Sequence, residues 1–496
     1  MLRAKLKKYS QRLLAALSRV AEKQGATFYI VGGTVRDWLL DRMPSDLDIT
    51  VAHNAVACCH GLIAELGGAA FVLLGRGDEE AGRVVCRGET IDFSSFRRGA
   101  HTIEEDLGLR DYTINALGVS LSDLLDEAVA PRLLDPLDGI NDLDKKILRA
   151  CPQAFVADPL RMLRGFRLRA ALGFAMDETT REEIAQHVEL IQQVSVERIS
   201  HEMQLIMASE RAHATIEEMA EIGLLWQIIP ELARGLGMVQ PGFHHLDVFH
   251  HSLAALGHME EILADPGRFY PESAVKIGDY IACPGMKARL KWAALLHDLG
   301  KPVTMAVQEN KDGRVTFYGH DQAGREQVLT LGRELRWSNE DRDRVADLIG
   351  MHMQPFHLCN VRRKEVLSRK ACLNLGKKAG DDLIGLFLLA MADSLAGKGE
   401  KKPPTMEAEL SGLLAEVLNI HEQYIRPALT GPRLLTGQDL IASFSLTPGP
   451  LFAQVLDALQ EAQVEGEVAN AEEARRWVGN YLARFPSCQR GVNGIK

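Results

Sequence analysis

The sequence contains no C-x-x-C pair. Its eight cysteines are scattered as Cys58, Cys59, Cys86, Cys151, Cys283, Cys359, Cys372 and Cys488. That spacing excludes a thiolate zinc site or a disulfide framework as the organising device and fits a reducing, cytoplasmic setting. Long apolar runs are missing too. The most apolar stretch, Leu383–Ala392, is too short to span a bilayer, so no membrane partner is expected. The basic, amphipathic segment 1–25 has neither a continuous apolar stretch nor an A-x-A site and is not read as a signal peptide. Positive charge is in deficit: 57 Lys and Arg face 67 Asp and Glu, a formal net charge of -10. An indiscriminate polycation is thereby excluded, and DNA is not an expected partner. An RNA partner is not excluded, because phosphates need only a local basic surface. Two stretches offer one: 145–169, with Lys145, Lys146, Arg149, Arg161, Arg164, Arg167 and Arg169, and the run Arg362-Arg363-Lys364. Tandem repeats and low-complexity tracts are absent.

What is present is ordinary globular composition, 46% apolar and 25% charged over 496 residues, enough for roughly two to four domains. Short strand-like runs come first: Phe28–Val31, Asp46–Val51, Ala70–Leu74, Arg83–Cys86 and Thr90–Phe96, with a helix expected over Val35–Leu40. From about residue 145 the pattern is almost wholly helical. Asp158-Pro159 reads as a helix start with Asp as the cap. A His- and Gly-rich loop falls at Pro241–His245, a linker at Gly397–Pro404, and a last helical segment beyond it.

Two constellations carry chemistry. In the first, Ile30-Val31 runs into Gly32-Gly33, and Asp46-Leu47-Asp48 follows a dozen residues later. Residues two apart on a strand face one side, so Asp46 and Asp48 point together and repel unless a cation lies between them. Mg²⁺ prefers such oxygen ligands together with substrate phosphates. The Gly-Gly turn lets backbone N–H groups approach a triphosphate at a helix start. Nucleotidyl or phosphoryl transfer suits this set. Asp92, in Ile91-Asp92-Phe93, is either a third acid at the site or a pairing residue; Asp37 is a cap or an ion-pair partner of Arg36.

The run Val31–Leu40 with Asp46–Ile49 resembles the class II tRNA nucleotidyltransferase and bacterial poly(A) polymerase family. Leu109-Arg110-Asp111-Tyr112-Thr113-Ile114-Asn115-Ala116, Asp158-Pro159-Leu160-Arg161-Met162-Leu163-Arg164 and Ser195-Val196-Glu197-Arg198-Ile199 resemble that family's later motifs, in order, over about residues 28–210. The resemblance implies that Asp46 and Asp48 are catalytic and hold Mg²⁺. It implies that Gly32, Gly33, Arg36, Arg110, Asp111, Asn115, Asp158, Arg161 and Arg164 bind the nucleotide. Arg110 and Asp111 would lie near the ribose, whose 2′-hydroxyl both donates and accepts. Asp158 and Arg161, three apart on one helix face, would read the base edge of CTP or ATP. Leu109 and Ala157 depart from the family pattern, and the span Arg97–Glu104 is short, which leaves the added nucleotide open.

The second constellation is His251, His297-Asp298, His320, His352 and Asp393. Adjacent His and Asp amid apolar residues is costly without a partner, and mixed imidazole and carboxylate ligands suit a divalent transition metal. With the lead-in His245-Leu246-Asp247-Val248-Phe249-His250-His251, this block resembles an HD-superfamily metal phosphohydrolase; the metal's identity is open. Leu434–Leu440 and Thr447–Pro450 resemble a C-terminal tRNA-supporting segment.

The expected class is α+β. A small mixed α/β nucleotidyltransferase head (1–145) precedes mostly helical RNA-binding (146–235), HD (236–400) and C-terminal tRNA-binding (405–496) domains. The expected activity is template-independent addition of CTP and/or ATP to a tRNA or other RNA 3′ end, with an HD phosphohydrolase alongside. CC-only or A-only addition and poly(A) synthesis are alternatives within the family; an RNA-end phosphohydrolase whose head only binds RNA is the alternative outside it.

Overall fold

The computed structural model describes residues 2–75, 80–97, 99–240, 242, 245–308 and 314–484. Cys488 and part of the 241–245 loop lie outside them. The chain divides into two compact units, Met1–Ile228 and Ile229–Lys496, an α+β head with helices and a mainly helical remainder.

In the first unit seven short strands form one mixed sheet among the described residues: Tyr29–Val31 (β1), Leu47–Val51 (β2), Ala70–Gly75 (β3), Ala81–Cys86 (β4), Glu89–Ser95 (β5), Gly118–Ser120 (β6) and Leu133–Leu134 (β7), in the order β3-β4-β5-β2-β1-β6-β7. The alternation of β2 buries Leu47 and Ile49 and leaves Asp48 on the other face. That is the period-2 reading of a half-buried strand. β2 runs parallel to β5, and the register sets Asp48 opposite Asp92.

Helix α1 (Gln11–Gln24) is capped by the Ser10 hydroxyl, which accepts from Leu13 N–H. It ends at left-handed Gly25. Its Leu13, Leu17 and Val20 face packs with α3 (Ala55–Leu66) in the core beside the sheet. Between them in sequence, α2 (Gly33–Leu39) starts directly after β1. A Thr102/Glu105 capping box starts α4 (Ile103–Gly108), worth roughly 1 kcal/mol. Farther along, α5 (Leu160–Leu172) packs on α6 (Val196–Ala208). At the start of α5 the cap position belongs to Pro159 rather than Asp158. Asp158 still accepts the Leu160 N–H at 3.2 Å.

The second unit is built on α7 (Val248–Ala264), α8 (Met286–Leu296), α9 (His320–Glu334), α10 (Asn339–Met351) and α11 (Leu383–Ala396). Because α11 is apolar on nearly every face, it is buried between neighbours; α7 and α8 pack against it. Farther on, a Thr436/Asp439 capping box starts Gly437–Phe444. Leu440, Val455, Leu459 and Val478 close a small separate core.

Gly300, just after His297-Asp298, has no room for a side chain. A Cβ there would lie 2.1 Å from the His320 carbonyl oxygen and 2.5 Å from Gly324 N, both backbone atoms that cannot rotate away. Gly300→Ala is therefore expected to cost about 2–3 kcal/mol and to displace the start of α9. Calorimetry should show a lower thermal midpoint, and the second unit should bind divalent metal more weakly.

Candidate active sites

In the head the chemistry gathers in a cleft of about 410 Å³ lined by Gly32, Gly33, Asp48, Asp92, Arg110 and Asp158, among others. Gly32 has φ +68, and a Cβ on it would lie 2.6 Å from Arg110 Nη1; both the turn and the close approach demand glycine. The Thr34 hydroxyl, in the first turn of α2, receives the Asp48 N–H at 2.9 Å and ties that turn to β2. Asp48 is half-buried as a residue, but its carboxyl is deep in the cleft floor. Burial pushes it up to about 6, with Arg110 pulling against the rise and Asp92 and Asp46 adding to it. A carboxylate so placed is the kind of donor that a hard divalent cation prefers, though among the described residues Asp46, Asp48 and Asp92 are not gathered within 4.8 Å of one another.

The motif Arg110–Asn115 and helix α5 hold one another. Arg164 pairs with Asp111 at 2.7 Å, Arg161 Nη1 donates to the Arg110 carbonyl at 2.9 Å, and the Tyr112 hydroxyl donates to the Arg161 carbonyl at 2.9 Å. Asn115 Nδ2 donates to Asp111 at 3.0 Å, and its Oδ1 accepts from Arg36 Nη1 at 2.7 Å. Arg36 also pairs with Asp37 at 2.7 Å, the ion-pair role for Asp37. The Asp158 carboxylate pairs with Arg198 at 2.8 Å, and its carbonyl accepts the Arg161 N–H at 3.0 Å.

Burial alone would raise the Asp111 carboxyl, yet Arg164 and Asn115 hold it well below the usual carboxylate range. A carboxyl depressed in the fold contributes stability that is present above its unfolded pKa and lost as pH falls toward the folded one. Acid should therefore destabilise the head from about pH 4 downward. Asp111→Asn should flatten that limb in a thermal-midpoint series against pH.

The second unit gathers all six expected ligands. His251, His297 and Asp393 form one close group and Asp298, His320 and His352 another, with ligand atoms within 4.8 Å in each. His251 Nε2 lies 3.0 Å from Asp393, and His297 Nε2 lies 3.2 Å from Asp298. His297, His320 and His352 each direct Nδ1 at a backbone carbonyl three residues earlier, at 2.9, 2.9 and 2.7 Å. A carbonyl only accepts, so each Nδ1 carries a proton and each Nε2 is turned inward. His320 and His352 then face each other Nε2 to Nε2 at 3.1 Å. That approach needs a proton or a metal ion between the two nitrogens, and inward imidazoles gathered with Asp298 fit a divalent metal. Burial disfavours the His297 imidazolium, but Asp298 and Asp393 outweigh it and raise it to about 10. Burial, His320 and His297 push His352 down to about 4. Lys301 Nζ holds Asp298 at 2.6 Å. A cavity of about 540 Å³ opens over this cluster, walled by Phe317, Tyr318, Met353 and Phe356 and edged by Lys401 and Lys402.

Several site residues were not singled out in the sequence. Arg83 pairs with Asp92 and Asp46; Asp106, fully buried, holds Arg97 and Arg110 at 3.1 and 3.4 Å. Only Arg198 and Lys301 had a usable signal, each lying inside a motif. The basic stretch 145–169 is largely committed internally: Arg149 to Asp142 and Asp177, Arg167 to Glu202, and Arg169 to Glu218. Arg362 and Arg363 likewise pair with Glu416 and Glu409.

Cleft and cluster together define a class of protein, a nucleotidyltransferase carrying an HD domain. Residues 28–149 match the poly A polymerase head domain, 173–236 the probable RNA and SrmB-binding site of polymerase A, 248–397 the HD domain, and 431–476 tRNA nucleotidyltransferase domain 2. The chain is 32% identical to the A-adding tRNA nucleotidyltransferase of Deinococcus radiodurans, covering 92% of this chain and 96% of that one. It is 33% identical to the CC-adding tRNA nucleotidyltransferase of Thermus thermophilus, covering 90% and 92%. The chain belongs to the class II tRNA nucleotidyltransferase family, in its form with an HD domain. Its fold is similar to that of the Thermotoga maritima CCA-adding enzyme complexed with tRNA, with a TM-score of 0.63 at 19% identity, over 96% of this chain and 97% of that one. Among the described residues, no helix is long and apolar enough to cross a membrane.

Proposed function

We propose that the chain adds nucleotides from CTP or ATP to the 3′ end of tRNA in the cytoplasm, building part of a CCA end. The observation that carries the reading is the head cleft, where the Gly32-Gly33 turn, Asp48, Arg110-Asp111 and the start of α5 converge, with Asp46 linked to Asp92 of that lining through Arg83. Asp46 and Asp48 hold Mg²⁺, which supplies charge neutralisation at the transferring phosphoryl. Gly32 and Gly33 offer their backbone to the triphosphate, Arg110, Asp111 and Asn115 orient the ribose, and Asp158, Arg161 and Arg164 select the base. The division into residues 1–145, 146–235, 236–400 and 405–496 places the head's binding work in the first two segments.

Partial addition is favoured over full CCA synthesis for two reasons. The relatives at 32% and 33% identity, matched over more than nine-tenths of their length, are named A-adding and CC-adding, and the Arg97–Glu104 span is short. The test is to sequence the 3′ ends made from tRNA lacking CCA and from tRNA ending in CC, with CTP alone, ATP alone and both. Extension with CTP only or with ATP only supports partial addition; a full CCA end from CTP and ATP together rejects it; no extension rejects the transferase reading.

For the HD unit the reading is a divalent-metal phosphohydrolase acting on phosphorylated RNA ends, which would free the hydroxyl that the head extends. The His320–His352 approach supports it. Absence of metal-dependent hydrolysis of tRNA ending in a 2′,3′-cyclic phosphate would count against it.

A further inference from the structure

Arg83 stands on β4 directly opposite Asp92 in the ladder. Its Nε and Nη2 meet both oxygens of Asp92, at 2.8 and 2.7 Å, and the same Nη2 reaches Asp46 at 3.1 Å. The side chain is 36% exposed, so it is not a packing prop for the core. Among the described residues it is the cation that touches Asp46; Arg97 and Arg110 are tied to Asp106. The bonds are unequal. A parallel fork on Asp92 is the strong arrangement for a guanidinium, whereas the single longer contact to Asp46 is the one that yields.

We propose that Arg83 is the internal counter-ion of the head cleft. It neutralises Asp46 and Asp92 while no nucleotide is bound, releases Asp46 to an entering divalent cation, and so sets how tightly the site binds metal before the nucleotide arrives. Asp92 is then the post that anchors Arg83, which decides between the two roles open to it in the sequence. The inference rests on reading Asp46 and Asp48 as metal ligands. Its physical basis is charge: a fixed cation a few ångströms from the metal position opposes metal entry, less strongly for being partly exposed.

The test is a titration of the full chain with Mn²⁺ alone, without nucleotide, read by electron paramagnetic resonance. The same titration of the Asp46→Asn/Asp48→Asn chain reports the binding that belongs to the His/Asp cluster. Arg83→Met should tighten the head's Mn²⁺ binding by about tenfold. Arg83→Lys, which keeps the charge and loses the fork, should stay within about threefold of the parent. Unchanged or weaker binding in Arg83→Met overturns the proposal, and so does equal tightening in both variants. If the Asp46→Asn/Asp48→Asn chain binds as many Mn²⁺ ions as the parent, the metal-ligand reading fails instead.

Discussion

Asp48→Asn is expected to lower nucleotide addition by about a thousandfold or more, the loss of several kcal/mol of charge stabilisation at the phosphoryl group, while leaving the head folded. Asp48 is an ionisable group that the fold tolerates rather than needs. Its carboxyl is pushed up to about 6, first by burial, with Asp92 and Asp46 reinforcing the rise against Arg110. A carboxyl raised in the fold binds extra protons there between about pH 4 and pH 6, so without metal its ionisation subtracts stability as pH rises through that window. Asparagine removes this cost. The metal-free variant should therefore melt no lower than the parent below about pH 4, and higher above about pH 6. A labelled-CTP or labelled-ATP extension assay beside a thermal-midpoint series checks both halves. Lost activity with a lowered midpoint at pH 7 would point to a packing role and reject the argument.

His320→Ala is expected to lower phosphohydrolysis by about a hundredfold or more and to leave nucleotide addition unchanged. The hydrolytic effect follows from losing one ligand of a metal set. Nucleotide addition is spared because the residues around the head cleft all lie in the first unit, whereas the His/Asp cluster lies in the second. The stability readout has a sign that an ordinary core truncation would not give. In the metal-free chain, at a pH where both rings are neutral, substitution removes one of two lone pairs facing each other at 3.1 Å, so the midpoint there should hold or rise. The rise in midpoint on adding Mn²⁺ or Ni²⁺ should shrink, because a ligand that binds only the folded state stabilises in proportion to its affinity. A metal-free midpoint that drops sharply, or an undiminished shift with metal, would show that His320 serves packing rather than coordination.

Much of this was legible along the chain. The alternation of Asp46–Val51, the glycines ending β1 and the apolar α11 are local patterns, and local spacing dictates which face a side chain takes on its own element. The motif at Arg110–Asn115 and the start of α5 were readable as chemistry-bearing segments through the family resemblance rather than through spacing. Arg83 was not. A strand arginine at half exposure has no local signature, and its meaning comes wholly from the antiparallel β4–β5 register that sets it opposite Asp92. The same limit hid an ion-pair partner of Asp158. Helical spacing puts Arg161 on its face, and the packing of α6 against α5 adds Arg198. The basic stretch 145–169 reads as open charge in one dimension and as internal ion pairs in three.

By itself, then, the sequence determined the kinds of groups present and the element each belongs to: an acid on a strand with another just before it, a glycine turn before a helix, and histidines and aspartates set in apolar helices. The tertiary structure decided which faces meet. Parallel pairing of β2 with β5 brings Asp48 level with Asp92, and the packing of α7 on α11 brings His251 to Asp393 across 142 residues. The physical reason is that backbone periodicity is set residue by residue. The choice of a distant partner is set by burying one apolar face against another, and only the folded whole fixes it.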